Sequence, residues 1–106
     1  MRKRFVKVGL GTEIPEGAVR VFEAEGNDIA IARVNGELFA IENVCTHDDG
    51  PFGEGALDGC EIECPRHGAR FDIRTGAATR MPAAAAVAIF AVKVDNGEIF
   101  VEVETE

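Results

Sequence analysis

The sequence predicts an all-β fold, an antiparallel sandwich or barrel base carrying a small insert. Three observations predict it: apolar and polar residues alternate over short runs, turn residues recur between those runs, and helical periodicity is scarce. Arg4 to Val8 alternates as a first strand. Ile14-Pro15-Glu16-Gly17 reads as a turn, because Pro presets the first central φ and Gly accepts a positive one. Ala18 to Glu25 then sets Ala18, Arg20, Phe22 and Ala24 against Val19, Val21, Glu23 and Glu25, and either set could face inward. Gly26-Asn27 turns the chain into Asp28 to Val34, where Ile29, Ile31 and Arg33 alternate with Ala30, Ala32 and Val34. Asn35-Gly36 joins this run to Glu37 to Glu42, and Asn-Gly between two alternating runs is a strong hairpin signal. Val87 to Val94 and Glu98 to Val103 repeat the device around Asp95-Asn96-Gly97. Ala83 to Ala86, after Pro82, is the one stretch with helical character. The Val, Ile and Phe residues that follow it favour strand instead.

Length and composition bound the function. The chain has 106 residues, room for one domain, with 46% apolar and 28% charged residues, an ordinary globular balance. Nineteen acids against eleven bases give a net charge of −8, which argues against nucleic-acid binding and toward a basic partner. Met81 to Val92, the longest apolar run, is shorter than the roughly 20 residues a membrane helix needs. The basic start Met1-Arg2-Lys3-Arg4 is followed by an apolar run that Lys7 interrupts, so no export signal is indicated. Three cysteines are an odd and sparse set for a secreted disulfide scaffold, which points to a reducing cytoplasm. With seven Phe and neither Tyr nor Trp, any strong colour must come from a cofactor.

Between the hairpins the texture changes. Asn43 to Thr79 holds all three Cys, both His and a concentration of Gly, as expected of site-bearing loops on a rigid base. Cys45-Thr46-His47 and Cys64-Pro65-Arg66-His67 form C-x-H and, after sixteen intervening residues (48–63), C-x-x-H. Singly, a Cys is usually a small buried hydrophobe and a His a satisfied polar side chain. Together they supply two thiolates and two imidazoles on two turns, a donor set for zinc or iron–sulfur chemistry. Zinc fingers commonly pair Cys with Cys and His with His along the chain, whereas here the order is Cys, His, Cys, His. Each turn thus presents one sulfur and one nitrogen, so a two-iron rhombus could take both sulfurs on one iron and both nitrogens on the other.

At these residues the chain resembles the Rieske ferredoxins, in particular the ferredoxin components of bacterial ring-hydroxylating dioxygenase systems, over nearly its whole length. The carrying residues are Cys45-Thr46-His47, Gly55-Ala56-Leu57, Ile62 to Asp72 and Thr75-Gly76. The resemblance implies a single Rieske domain over residues 1–106, a β-sandwich or barrel base with a cluster-binding subdomain at about residues 43–79. It implies that Cys45 and Cys64 bind the inner iron of one [2Fe-2S] cluster, and His47 and His67 the outer iron, with the histidine edge as electron port. Met81-Pro82-Ala83 is similar to a loop that shields the cluster. Gly50 and Arg66 stand where respiratory relatives carry a disulfide, and Ala69 and Phe71 where they offer Ser and Tyr hydroxyls. The missing hydrogen bonds, with acidic Asp48, Asp49, Glu61 and Glu63 nearby, predict a potential toward the low end of the Rieske range, on the order of −150 mV. Cys60, on an alternating run from Gly59 to Cys64, needs no metal to explain it.

A cluster capped by four protein ligands has no open position for substrate, so the expected role is a soluble one-electron carrier rather than an enzyme. The resemblance implies a flavin-dependent NAD(P)H reductase as donor and a terminal oxygenase as acceptor, for a cytoplasmic monomer with no membrane or nucleic-acid partner. A nitrite-reductase small-subunit-like protein, an electron donor to another oxidoreductase and a zinc-stabilised interaction module are the other readings. The visible spectrum separates the last.

Overall fold

The structure, a computed structural model, describes residues 2–46, 50–53, 55–66, 68–81, 83 and 85–105. Three antiparallel sheets form. The first has β1 (Arg2–Leu10), β11 (Glu98–Thr105) and β10 (Val92–Asp95) in the order β1-β11-β10. The second has β2 (Val19–Ala24), β3 (Asn27–Val34), β4 (Glu37–Glu42) and β9 (Ile89–Phe90), in the order β2-β3-β4-β9. The third is a meander of β5 (Leu57–Asp58), β6 (Glu61–Glu63), β7 (Arg70–Asp72) and β8 (Ala78–Arg80).

Three tight hairpins set the registers of the base. Their central residues, Glu25-Gly26, Asn35-Gly36 and Asn96-Gly97, all have φ between 51° and 82°, the paired positive φ of a type I′ turn. The first turn falls one residue earlier than Gly26-Asn27. Ala24 pairs with Asn27, whose Nδ2 donates to the Ala24 carbonyl at 3.1 Å, so Asn27 opens β3 and Glu25 takes the left-handed position. The turn after Ile14 falls one residue later than its sequence suggests. Ala18 N–H donates to the Pro15 carbonyl at 3.0 Å, and Gly17 carries the positive φ.

β3 explains its own composition. Ile29, Ala30, Ile31 and Ala32 are all 0% exposed, so this strand is covered on both faces. Ile29 and Ile31 join Ile14, Ala24, Ala40, Ile99, Val101 and Val103 in the core between the first two sheets. Ala30 and Ala32 lie in the other core, with Val19, Val34, Ile41 and residues of the 43–87 segment. Large residues fill the gap between sheets, and small ones allow loops to approach the opposite face closely. The faces of β2 divide the same way, Val19 packing in one core and Ala24 and Phe22 in the other.

The insert leaves from β4 and returns to its neighbour β9, with Ala40 opposite Phe90 and Ile41 opposite Ile89. The strand expected over Val87 to Val94 is therefore two strands in different sheets, because the chain must leave β4 to meet β11. The change occurs at Ala91, whose carbonyl accepts the Glu102 N–H at 2.9 Å. No helix forms at the described residues of Ala83 to Ala86. Among the described residues, no helix is long and apolar enough to cross a membrane.

Candidate metal centre

Each cysteine occupies a turn closed by a backbone hydrogen bond. After β4, Cys45 N–H donates to the Gly50 carbonyl at 2.7 Å, closing the first turn. Between β6 and β7, Cys64 N–H donates to the Ala69 carbonyl at 2.7 Å and Gly68 N–H donates back to the Cys64 carbonyl at 3.1 Å, closing the second. Both cysteines are 0% exposed and belong to one core with Phe52, Ile62, Ala69, Phe71 and Ile73. No disulfide joins them. His47 and His67, the two expected nitrogen ligands, lie outside the described residues, as do Asp48 and Asp49. Among the described residues, no three His, Cys, Asp or Glu side chains gather as a metal site.

The donor chemistry fits an iron–sulfur group. Two sulfurs are brought into the same apolar core on separate turns, and each turn continues to a histidine two or three residues on. Thiolate and imidazole are the ligands of a Rieske centre, and a bound metal compensates a thiolate's charge where apolar neighbours do not. Where the resemblance looked for hydroxyls, Ala69 and Phe71 are fully buried, and Phe71 meets Phe52 edge to face, with centroids 5.3 Å apart and planes at 85°.

A third segment lies over the first turn. Thr46 Oγ1 donates to the Ala85 carbonyl at 2.6 Å, and Ala83 and Val87 are buried in the core of the cysteines. Of the expected shielding loop, Met81 is 83% exposed, Ala83 is buried and Pro82 lies outside the described residues. Gly76 seats this segment: Val87 N–H donates to the Gly76 carbonyl at 2.8 Å, and a Cβ on Gly76 would stand 2.1 Å from the Val87 carbonyl oxygen. Gly76 is thus a packing contact.

Asn43 was not picked out by the motif and proves central. Only 4% exposed, it donates from Nδ2 to Asp28 Oδ2 at 2.9 Å, and its Oδ1 accepts the N–H groups of Phe52 at 2.8 Å and Gly53 at 3.1 Å. One amide therefore ties the stretch after the first turn to β3. The signal in the sequence is an Asn between an apolar strand and a Cys, too common to single out.

Two expectations change. Cys60 is not on a strand. Leu57 pairs with Ile62 and Asp58 with Glu61, leaving Gly59-Cys60 as a two-residue turn in which Gly59 has φ +61°. Its carbonyl accepts Ile73 N–H at 2.8 Å, and its side chain packs against the core from outside. Glu61 and Glu63 are not uncompensated acids. Arg70 reaches Asp58 at 2.8 Å, Glu63 at 3.0 Å and Glu61 at 3.3 Å. Its hydrogen bonds to the carboxylates of Asp58, then Glu61 and Glu63, hold its guanidinium protonated well beyond the usual range. The cation offsets part of the negative field those acids exert.

Known proteins share the sequence pattern and the fold. The Rieske [2Fe-2S] domain family matches residues 4–91. The chain is similar to the ferredoxin component of the naphthalene 1,2-dioxygenase/salicylate 5-hydroxylase systems of Ralstonia sp, at 36% identity over 98% of this chain and 100% of that one. The fold is similar to the ferredoxin of carbazole 1,9a-dioxygenase from Nocardioides aromaticivorans IC177, with a TM-score of 0.87, 34% identity, and 92% and 95% of the two chains covered. It is also similar to a chain in the complex of reduced oxygenase and oxidized ferredoxin in carbazole 1,9a-dioxygenase, with a TM-score of 0.85, 35% identity, and 92% and 91% covered. With two buried sulfurs on two closed turns of an antiparallel β base, this chain belongs to the Rieske [2Fe-2S] domain family, as a ferredoxin whose cofactor is a [2Fe-2S] cluster and whose role is electron transfer rather than catalysis.

Proposed function

We propose that Cys45 and Cys64 hold one iron of the cluster and His47 and His67 the other, in a single domain spanning residues 1–106. The observation that carries this reading is the burial of both cysteines in one core, each on a turn that runs on to a histidine. The bound cluster supplies a one-electron couple. The chain supplies its insulation and orientation: Phe52, Ile62 and Phe71 keep water from the sulfur side, while the two turns carry His47 and His67 as the port. Ala69 and Phe71 offer no hydroxyl to the cluster, which supports a potential in the lower part of the Rieske range.

The same reading gives the partners. A chain similar to this one occurs in a complex of reduced oxygenase and oxidized ferredoxin in carbazole 1,9a-dioxygenase, which supports a terminal, ring-hydroxylating oxygenase as the acceptor. A flavin-dependent NAD(P)H reductase supplies the electrons, and the carrier is a soluble cytoplasmic monomer. The net charge of −8 suits basic docking faces on both partners and gives encounter rates that fall with added salt.

The purified protein tests the ligand set. Iron and sulfide at two each per chain, a coloured oxidised form and an anisotropic paramagnetic signal after dithionite are expected. Stoichiometric zinc in a colourless protein overturns the reading. NADH-dependent product formation, reconstituted with a flavin reductase and a ring-hydroxylating oxygenase, tests the partners.

A further inference from the structure

The two cysteine turns each close on themselves, and among the described residues the Arg66 side chain reaches from one to the other. Arg66 follows Cys64 by two residues, and its Nη1 donates across to the Pro51 carbonyl at 2.7 Å. The same guanidinium lies against Gly50. A Cβ at that position would stand 2.7 Å from Arg66 Cζ, 2.8 Å from Nη2 and 3.0 Å from Nε. The guanidinium therefore fills the volume that a side chain at position 50 would need. Gly50 is also the residue whose carbonyl accepts the Cys45 N–H. Arg66 thus grips the pair that closes the Cys45 turn while anchored in the turn of Cys64.

The other tethers act elsewhere. Asn43 and the Phe52–Phe71 contact hold the stretch after the first turn, and Thr46 holds the 85 segment. Arg66 is exposed, so the clasp carries little desolvation cost. A planar group with several donors in fixed directions can cover Gly50 and reach Pro51 at once. A lysine ammonium is a point charge on a flexible stem.

We propose that Arg66 is a positioning residue, a clasp that sets the spacing between the Cys45 and Cys64 turns, with Gly50 as its seat. The proposal rests on the reading that these turns carry the cluster. It makes an unusual demand: a methyl group at position 50 must act by evicting an arginine sixteen residues away.

Gly50→Ala, Arg66→Met, Arg66→Lys and the Gly50→Ala/Arg66→Met double variant, each as the full chain with its cluster, test it. The readouts are visible circular dichroism, which reports ligand geometry, and the rate of bleaching by excess ferrous-iron chelator. Far-UV circular dichroism follows the β base. Gly50→Ala and Arg66→Met are expected to give the same altered visible dichroism and several-fold faster bleaching, with the far-UV signal unchanged. The double variant should bleach no faster than the faster single, and Arg66→Lys should behave like Arg66→Met. Wild-type behaviour in either single variant, multiplied effects in the double, or full rescue by lysine overturns the clasp. A wild-type protein that holds no cluster overturns instead the ligand reading beneath it.

Discussion

The two faces of β3 look into cores of different construction. On one side Ile29 and Ile31 meet Ile99, Val101 and Val103, in a core between two sheets whose fully buried residues are all aliphatic. Register runs unbroken along β2, β3 and β4, and the outer sheet pairs β1 with β11 over nearly their whole lengths. On the other side Ala30 and Ala32 meet loops and strands of two or three residues, and the core includes Cys45 and Cys64. Burial of continuous apolar strands holds the first region. Apolar burial under loops and short strands, two closed turns and the buried Asn43 amide hold the second. The base and the cysteine turns are therefore held by different contacts, and a substitution in one region can be read apart from the other.

The comparison breaks or sharpens at chosen positions. Removing a sulfur from the loop core with Cys45→Ala or Cys64→Ala should abolish the visible spectrum entirely, while amide-exchange protection along β2, β3 and β4 persists. Loss of that protection would show that the base depends on the metal. Ile31→Ala in the aliphatic core should lower unfolding free energy by about 2 to 5 kcal/mol in urea titrations. Ile62→Ala, in the other core, should instead speed cluster loss with a smaller effect on β3 protection. Asn43→Ala leaves the Phe52 and Gly53 N–H groups without their acceptor, at a cost of about 1 to 3 kcal/mol. It should appear first as faster exchange at those two amides.

Acid should act on the insert through Asp72, which accepts from the Nε, Nη2 and backbone N–H of Arg74. Those bonds hold its carboxyl below the ordinary carboxylate range. A carboxylate with a depressed folded pKa stabilises above its unfolded value, and that contribution fades as pH falls through the folded one. Asp72→Asn should therefore lower the urea midpoint slightly at neutral pH, the gap closing in strong acid. A gap that stayed constant into acid would show the charge pairing to be unimportant. Cys60→Ala should leave the visible spectrum unchanged, since this thiol lies on a turn outside the pair of closed loops. Any spectral change would reopen the ligand set.

The alternation of β3 and β4 and the Asn35-Gly36 and Asn96-Gly97 turns were legible because each depends only on neighbours in the chain. The Gly26-Asn27 turn slipped by one because a type I′ turn can be met by either adjacent pair, and the pairing of Ala24 with Asn27 selects one. The run from Val87 to Val94 hid a change of sheet for the same reason: both halves have strand composition, and partners far along the chain divide them. The cysteines and histidines stood out by rarity. Asn43 and the contact between Gly50 and Arg66 did not, since an Asn, a Gly and an Arg are common in any loop.

By itself the sequence determined the antiparallel base and the two cysteine-bearing turns, because periodicity and turn preference are properties of local composition. Only the tertiary structure decided that one strand separates two cores and that the insert departs and returns beside the same edge. It also decided that an arginine of one turn rests on a glycine of the other. Those facts rest on contacts between residues distant in the chain, which local preference does not encode.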